Sequence, residues 1–145
     1  MDKLITRHSM KQVLLFLWQL PQTVIGWLLL KIYWWEYRER KRFPNVHIYF
    51  CPKFPKGISL GKYILFNPRF NGEDMNALVA RHHEYGHCRQ SQMLGWLYLP
   101  VVGLWSAIRA AFDLYKKGHY FDAYPENWAD SLGGVKRDED GERYV

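Results

Sequence analysis

Cysteine is close to absent: the 145-residue chain has two, Cys51 and Cys88. Two thiols cannot build a disulfide-dense secreted scaffold, and they cannot supply a four-cysteine zinc site. Their scarcity is compatible with a reducing compartment. The length leaves room for one domain with a small appendage and excludes a large multidomain machine. There is no internal repeat and no low-complexity tract. No small-residue cleavage site follows the first apolar run, which argues against a removed signal peptide. At 48% hydrophobic and 23% charged, the composition is that of a globular chain and not a disordered one. Aromatics, by contrast, are dense at 17%, with seven Trp.

The net charge of +6 is unevenly placed. Residues 1–45 carry eight Lys/Arg against three acidic residues, residues 46–135 carry nine against seven, and the last ten carry three against four. The excess therefore belongs to the N-terminal segment. A nucleic-acid binder spreads cations over a folded surface, so nucleic acid is a poor fit as partner despite a pI near 9.3. Here the cations bracket an apolar run, as at a membrane.

That run, residues 12–30, is uncharged, and as one helix it would measure about 28 Å, near the hydrocarbon thickness of a bilayer. Gln19, Gln22, Thr23 and Pro21 near its centre are costly in lipid and predict two short helices broken near the proline. Trp34, Trp35 and Tyr37 precede Arg38, Arg40, Lys41 and Arg42, an order suited to a membrane interface. The competing reading is a helical hairpin that covers the core of a soluble domain. Three regions follow: an apolar helical segment over 1–45, a domain over 46–135 that holds the motifs described below, and a charged, fraying tail over 136–145.

Residues 46–51 and 57–66 read as short strands, with Pro52, Pro55, Gly57 and Gly61 as punctuation. A helix is expected from about 72 to 94, capped by Asn71 with Asp74 reaching back, and stopped at Gly95. A second uncharged run, 93–108, also has a central Leu-Pro and is expected to pack with 12–30, its helix continuing to Lys117. Residues 118–125 read as a loop. Pro125 opens a last helix that Gly133-Gly134 stops.

Within the 72–94 helix lies His83-Glu84-Tyr85-Gly86-His87. Two imidazoles one turn apart share a face and reach a single ion, while Glu84 is turned about 100° away, free to approach a metal-bound water. Met75, Leu78 and Val79 are expected to anchor the opposite side. A catalytic zinc takes three protein ligands and leaves a fourth position open. In Glu126-Asn127-Trp128-Ala129-Asp130, the two carboxylates share a face. Glu126 is the candidate third ligand, and Asp130 the candidate acceptor of a ligand histidine's spare N–H.

HEYGH followed by ENWAD resembles the gluzincin zinc metallopeptidases. The resemblance covers about residues 57–134. It implies Zn2+ held by His83, His87 and Glu126, Glu84 as general base, and Asp130 as orienting partner of His87. It implies a minimal zincin-like α+β fold, mostly helical with a short antiparallel sheet. HEYGH with Gln90-Ser91 and Leu97–Pro100 also resembles small zincin-like proteins, which implies a shared fold without a substrate. The chain is much shorter than large gluzincins and has no second lobe in its sequence. His119, Tyr120 and Tyr124, just ahead of the third ligand, are candidates for oxyanion or substrate contact, with packing or loop roles as their ordinary reading.

The activity so implied is peptide-bond hydrolysis by a metal-activated water, with Glu84 shuttling the proton. The 57–66 strand is expected to offer its edge to an extended peptide or protein substrate. The rival is a non-catalytic zinc module that binds a membrane or a partner. Cys88 and the stripe Trp96, Trp105 and Phe112 are expected as core. His82 is expected to be packed or solvated, and Arg81 and Arg89 solvated or paired with acids.

Overall fold

The structure, a computed structural model, describes residues 2–33, 36–37, 43–112 and 120–145. Five helices and two small sheets are present among them: α1 (Asp2–Trp18), α2 (Leu20–Tyr33), α3 (Met75–Leu94), α4 (Leu104–Phe112) and α5 (Glu126–Gly133), with strands β1 (Glu36–Tyr37), β2 (His47–Phe50), β3 (Gly57–Leu60), β4 (Tyr63–Phe66), β5 (Lys136–Arg137) and β6 (Arg143–Tyr144). The class is α+β, mostly helical, with an apolar helix pair at the N-terminus, as expected.

The main sheet runs β1-β2-β4-β3. It is mixed: β2 and β4 lie parallel, whereas β1–β2 and β3–β4 are antiparallel. The expected single strand over 57–66 folds into a hairpin, because Gly61 takes a positive φ of 63° between Leu60 and Tyr63. In the register, Ile48 stands beside Ile64 and Phe50 beside Phe66. With Phe43, Val46 and Cys88 they form the core between sheet and α3. Each of these fully buried side chains contributes roughly 1.5–3 kcal/mol. Burial pushes the Cys88 thiol up to about 12, so Cys88 behaves as a small core residue. The two cysteines are unpaired with one another.

Helix α3 begins later than the spacing predicts. Asn67 caps a 3-10 turn over Pro68–Asn71 by accepting from the Arg69 N–H. That turn uses up residues 68–71. Asp74 itself is therefore the N-cap, its Oδ1 accepting from the Ala77 N–H at 3.0 Å. Gly95 ends the helix with φ 55°. Met75 is 49% exposed, which corrects its reading as an anchor, while Val79 is buried. Arg81 is buried and not solvated: its guanidinium donates to the carbonyls of Phe70 and Gly72 and pairs with Glu73.

The break between α1 and α2 falls at Gln19, and the two helices meet at 84°. No single helix among the described residues is long and apolar enough to cross a membrane; the bent pair passes that test only jointly. The pair does pack with the second apolar run. The Trp18 indole donates to the Gln92 carbonyl, and the Trp96 indole donates to the Leu17 carbonyl. Trp96 and Trp105 are nonetheless 59% and 48% exposed, which corrects their reading as core. Trp96 lies on the 3-10 turn Gly95–Leu97 and Trp105 in the first turn of α4. Side chains beyond Ile108, Phe112 included, the continuation to Lys117, and Trp34, Trp35 and Arg38–Arg42 lie outside the described residues, as does the Tyr37 side chain. Residues 136–145 do not fray: β5 and β6 pair antiparallel and bring Arg143 back onto α5.

Candidate metal centre

Helix α5 lies against α3 at unusually close range. A Cβ on Gly86 would stand 1.8 Å from the Ala129 carbonyl oxygen, and one on Gly133 would stand 2.0 Å from that of His82. The absence of side chains at both positions lets the two backbones touch. The contacts pair Gln90 with Pro125, Gly86 with Ala129, and His82 with Gly133. Residue numbers thus rise along α5 as they fall along α3, and the helices run antiparallel. Glu126 arrives beside the histidine pair, and Asp130, one turn later, arrives beside His83.

Three atoms converge. His83 Nε2 lies 3.0 Å from Glu126 Oε2, His87 Nε2 lies 3.2 Å from the same oxygen, and the two nitrogens are 3.1 Å apart. All three residues are buried. Tetrahedral ligands at about 2.0–2.1 Å from one zinc stand about 3.3–3.4 Å apart, so the triangle is sized for a single ion. Its chemistry points the same way. His83 Nδ1 lies 2.7 Å from Asp130 Oδ1, and His87 Nδ1 lies 2.7 Å from Gln90 Oε1. These acceptors place the ring proton on Nδ1 and leave each Nε2 with a lone pair. Two lone pairs and a carboxylate oxygen then face one another, an arrangement that a cation resolves. Without a cation, a proton does so. Burial opposes charge on His83, but hydrogen bonds to Asp130 and Glu126 outweigh it and raise His83 to about 9. Burial likewise opposes charge on Glu126, yet the two histidines hold its carboxyl well below the usual range.

The sequence expectation of Asp130 as partner of His87 is corrected: the antiparallel crossing gives Asp130 to His83, and Gln90 serves His87. Gln90 is fully buried and also donates to the Pro125 carbonyl at 3.0 Å. Its position three residues after His87 was the available signal, since i and i+3 share a helix face. Other supports had no sequence signal. Ser106 on α4 donates to Glu126 Oε1 at 2.6 Å, leaving Oε2 for the ion. Arg143 donates to Asp130 Oδ1 and stacks 3.5 Å over Phe121, whose ring edges His83. Against the cost of burial, these partners hold the Asp130 carboxyl below its ordinary range.

Glu84 is 9% exposed and lines a cleft of about 1200 Å³ together with His83, His87 and Glu126. The Ser59 hydroxyl lies 2.8 Å from Glu84 Oε2 and 2.7 Å from its main-chain carbonyl. Gly57 gives room for that carboxylate: a Cβ there would be 2.9 Å from Glu84 Oε1 and 2.6 Å from the Phe66 ring. Of the remaining candidates, Tyr124 does not join the centre. Tyr124 is 40% exposed, and its hydroxyl donates to the Val101 carbonyl at 3.3 Å. His119 and the side chain of Tyr120 lie outside the described residues. His82 turns away, its Nδ1 donating to the Gly133 carbonyl at 2.8 Å.

What the residues define is a possible buried His, His, Glu metal site on two helices. Comparison with protein-family models, with curated proteins and with solved structures returns no match.

Proposed function

We propose that the chain is a zinc-dependent metallopeptidase. The observation that carries this reading is the triangle of His83 Nε2, His87 Nε2 and Glu126 Oε2, edges 3.0–3.2 Å, opening on the cleft that also holds Glu84. A structural zinc is closed by four protein ligands. Among the described residues this group offers three, which leaves a position for water or substrate. When bound, zinc would supply Lewis acidity toward the water and the scissile carbonyl. Zinc is preferred because two imidazoles and one carboxylate are a borderline donor set.

Glu84 accepts the proton of the attacking water and returns it to the leaving nitrogen. Ser59 fixes one of its oxygens, so the other is presented at a defined angle. Strand β3 is the outer strand of the main sheet. Its Gly57–Ser59 portion lines the cleft, and an extended peptide added there would lie alongside the metal ligands. The far end of β3 is closed by α2, where Gly26 packs on Leu60.

The test is Glu84→Gln in zinc-loaded protein. Loss of a positioned acid–base group lowers turnover of a peptide library by about 10²–10⁴-fold, with zinc content unchanged. Equal cleavage by variant and wild type would overturn the mechanism. Collapse of the circular dichroism signal on chelation, with no cleavage at any stage, would assign the metal to structure.

A further inference from the structure

The N-terminal helix pair is inside out. Between Met10 and Tyr33 the buried residues are Gln19, Gln22, Thr23 and Gly26, all polar or without a side chain. They turn toward α3 and the β3–β4 hairpin. The Ser91 hydroxyl donates to Gln19 Oε1, and the Gln22 amide donates to Ser91 Oγ and to the Gly95 carbonyl. The apolar side chains face away: Leu14, Leu17, Leu28 and Ile32 are 46–65% exposed, and Trp18 and Trp27 nearly half exposed. Polar residues that would be costly within lipid are thereby removed from it, and an apolar surface is left outward. A soluble monomer rarely exposes a contiguous apolar patch of this kind.

The second apolar run meets the pair at Trp18 and Trp96 and adds exposed apolar side chains of its own. Trp18 and Trp96 cross at Gly95, each indole N–H satisfied by a carbonyl of the other segment. Their exposed ring surfaces therefore carry no free donor. Leu97, Leu104 and Trp105 follow in the chain, at 60%, 57% and 48% exposure. Charge selects the occupant. Residues 3–35 and 85–112 contain no Asp or Glu, whereas Lys3, Arg7, Lys11 and Lys31 lie in the first segment and Arg89 and Arg109 in the second. Lys31 is exposed and sits 5.7 Å from the Trp27 ring centre. A second copy would add cations to cations; an anionic lipid headgroup layer complements both the apolar surface and the exposed Lys11 and Lys31.

We infer that this face, formed by α1, α2 and the Trp96–Trp105 segment, docks on the surface of an anionic bilayer. Leu104 both lines the metal cleft and stands exposed, so docking brings one wall of the cleft to the lipid. The docking is independent of the peptidase reading.

Flotation of the full chain with vesicles of phosphatidylcholine and 30% phosphatidylglycerol tests it. Wild type should float with these vesicles, and at least tenfold less with phosphatidylcholine alone. Leu28→Glu combined with Ile32→Glu should abolish flotation while zinc binding, read by titration, stays intact. Trp105→Glu, on a separate element, repeats the test should the first variant fail to fold. Wild type that stays at the bottom of the gradient, or glutamate variants that float equally, would overturn the inference. So would a vesicle-free dimer, seen by sedimentation, that the same substitutions dissociate, since that assigns the face to a second copy.

Discussion

Helix α3 buries polar groups against two neighbours, and the two clusters differ in kind. Toward its C-terminus, Ser91 and the Gly95 carbonyl meet Gln19 and Gln22 of the N-terminal pair, where donors and acceptors alternate. Among the described residues only Gln22 Oε1 lacks a partner there. That cluster is closed by its own hydrogens and ties one element to another. One turn earlier, His83, His87 and Glu126 present three acceptors to one another with their donors directed elsewhere. Buried polar groups are ordinarily satisfied; a cluster whose Nδ1 donors are used elsewhere is completed by an added cation or, in its absence, by a proton shared between His83 and Glu126. The contrast separates a polar joint from a possible metal site more sharply than burial does, since both are buried.

Gly86→Ala is expected to break the comparison altogether. A Cβ 1.8 Å from the Ala129 carbonyl forces α5 away from α3. Overpacking usually costs about 1–3 kcal/mol, and contact with backbone places this case at or beyond the upper end. Thermal unfolding should show that loss, and a zinc titration should show the metal site gone with it.

Replacing a ligand acts on one cluster alone. A structural zinc is worth about 10–16 kcal/mol over four ligands, so His83→Ala, His87→Ala or Glu126→Ala should cost roughly 3–4 kcal/mol, or about 10²–10³-fold in zinc affinity. Competition with a chromophoric chelator measures this. Chelating the wild type should lower its melting temperature: at metal a thousandfold above Kd the ion contributes about 4 kcal/mol, roughly 10–15 °C for a chain this size. A melting temperature indifferent to chelator and to added zinc would contradict the site.

The groups behind the ligands should have smaller effects. Asp130→Ala and Gln90→Leu each remove the acceptor that fixes one imidazole, and about 10–100-fold in metal affinity is expected. Asp130→Ala also leaves Arg143 without its carboxylate. Smallest is Ser91→Ala, which opens the polar joint: about 1–3 kcal/mol of stability, seen in denaturant unfolding, with zinc affinity unmoved. A large fall in zinc affinity in Ser91→Ala would erase the distinction between the two clusters.

The buried His, His, Glu group was legible because its members come in local patterns. His83 and His87 are one turn apart, Glu126 and Asp130 likewise, and helical geometry converts each spacing into a shared face. The assignment of Asp130 to His87 failed because spacing within a helix says nothing about the direction in which a second helix crosses it. Ser59, Ser106 and Arg143 left no trace for a related reason: each lies 20 or more residues, or a whole element, from the group it holds, and a lone Ser or Arg has no pattern. Trp96 and Trp105 read as core because apolar residues are usually inside; both are about half exposed in the fold, and composition carries no signal of that.

Sequence alone determined the chemistry available, two imidazoles and two carboxylates in paired turns, a nearly neutral stretch over 46–135, and an apolar N-terminal segment with cations and a central break. These are properties of composition and of 3.6-residue periodicity, and they need no partner. Tertiary structure decided which oxygen meets which nitrogen and which face of the apolar helices looks outward. Both depend on how elements distant in the chain approach. Here that approach is set by the backbone contact at Gly86 and Gly133 and by the buried glutamines at positions 19 and 22.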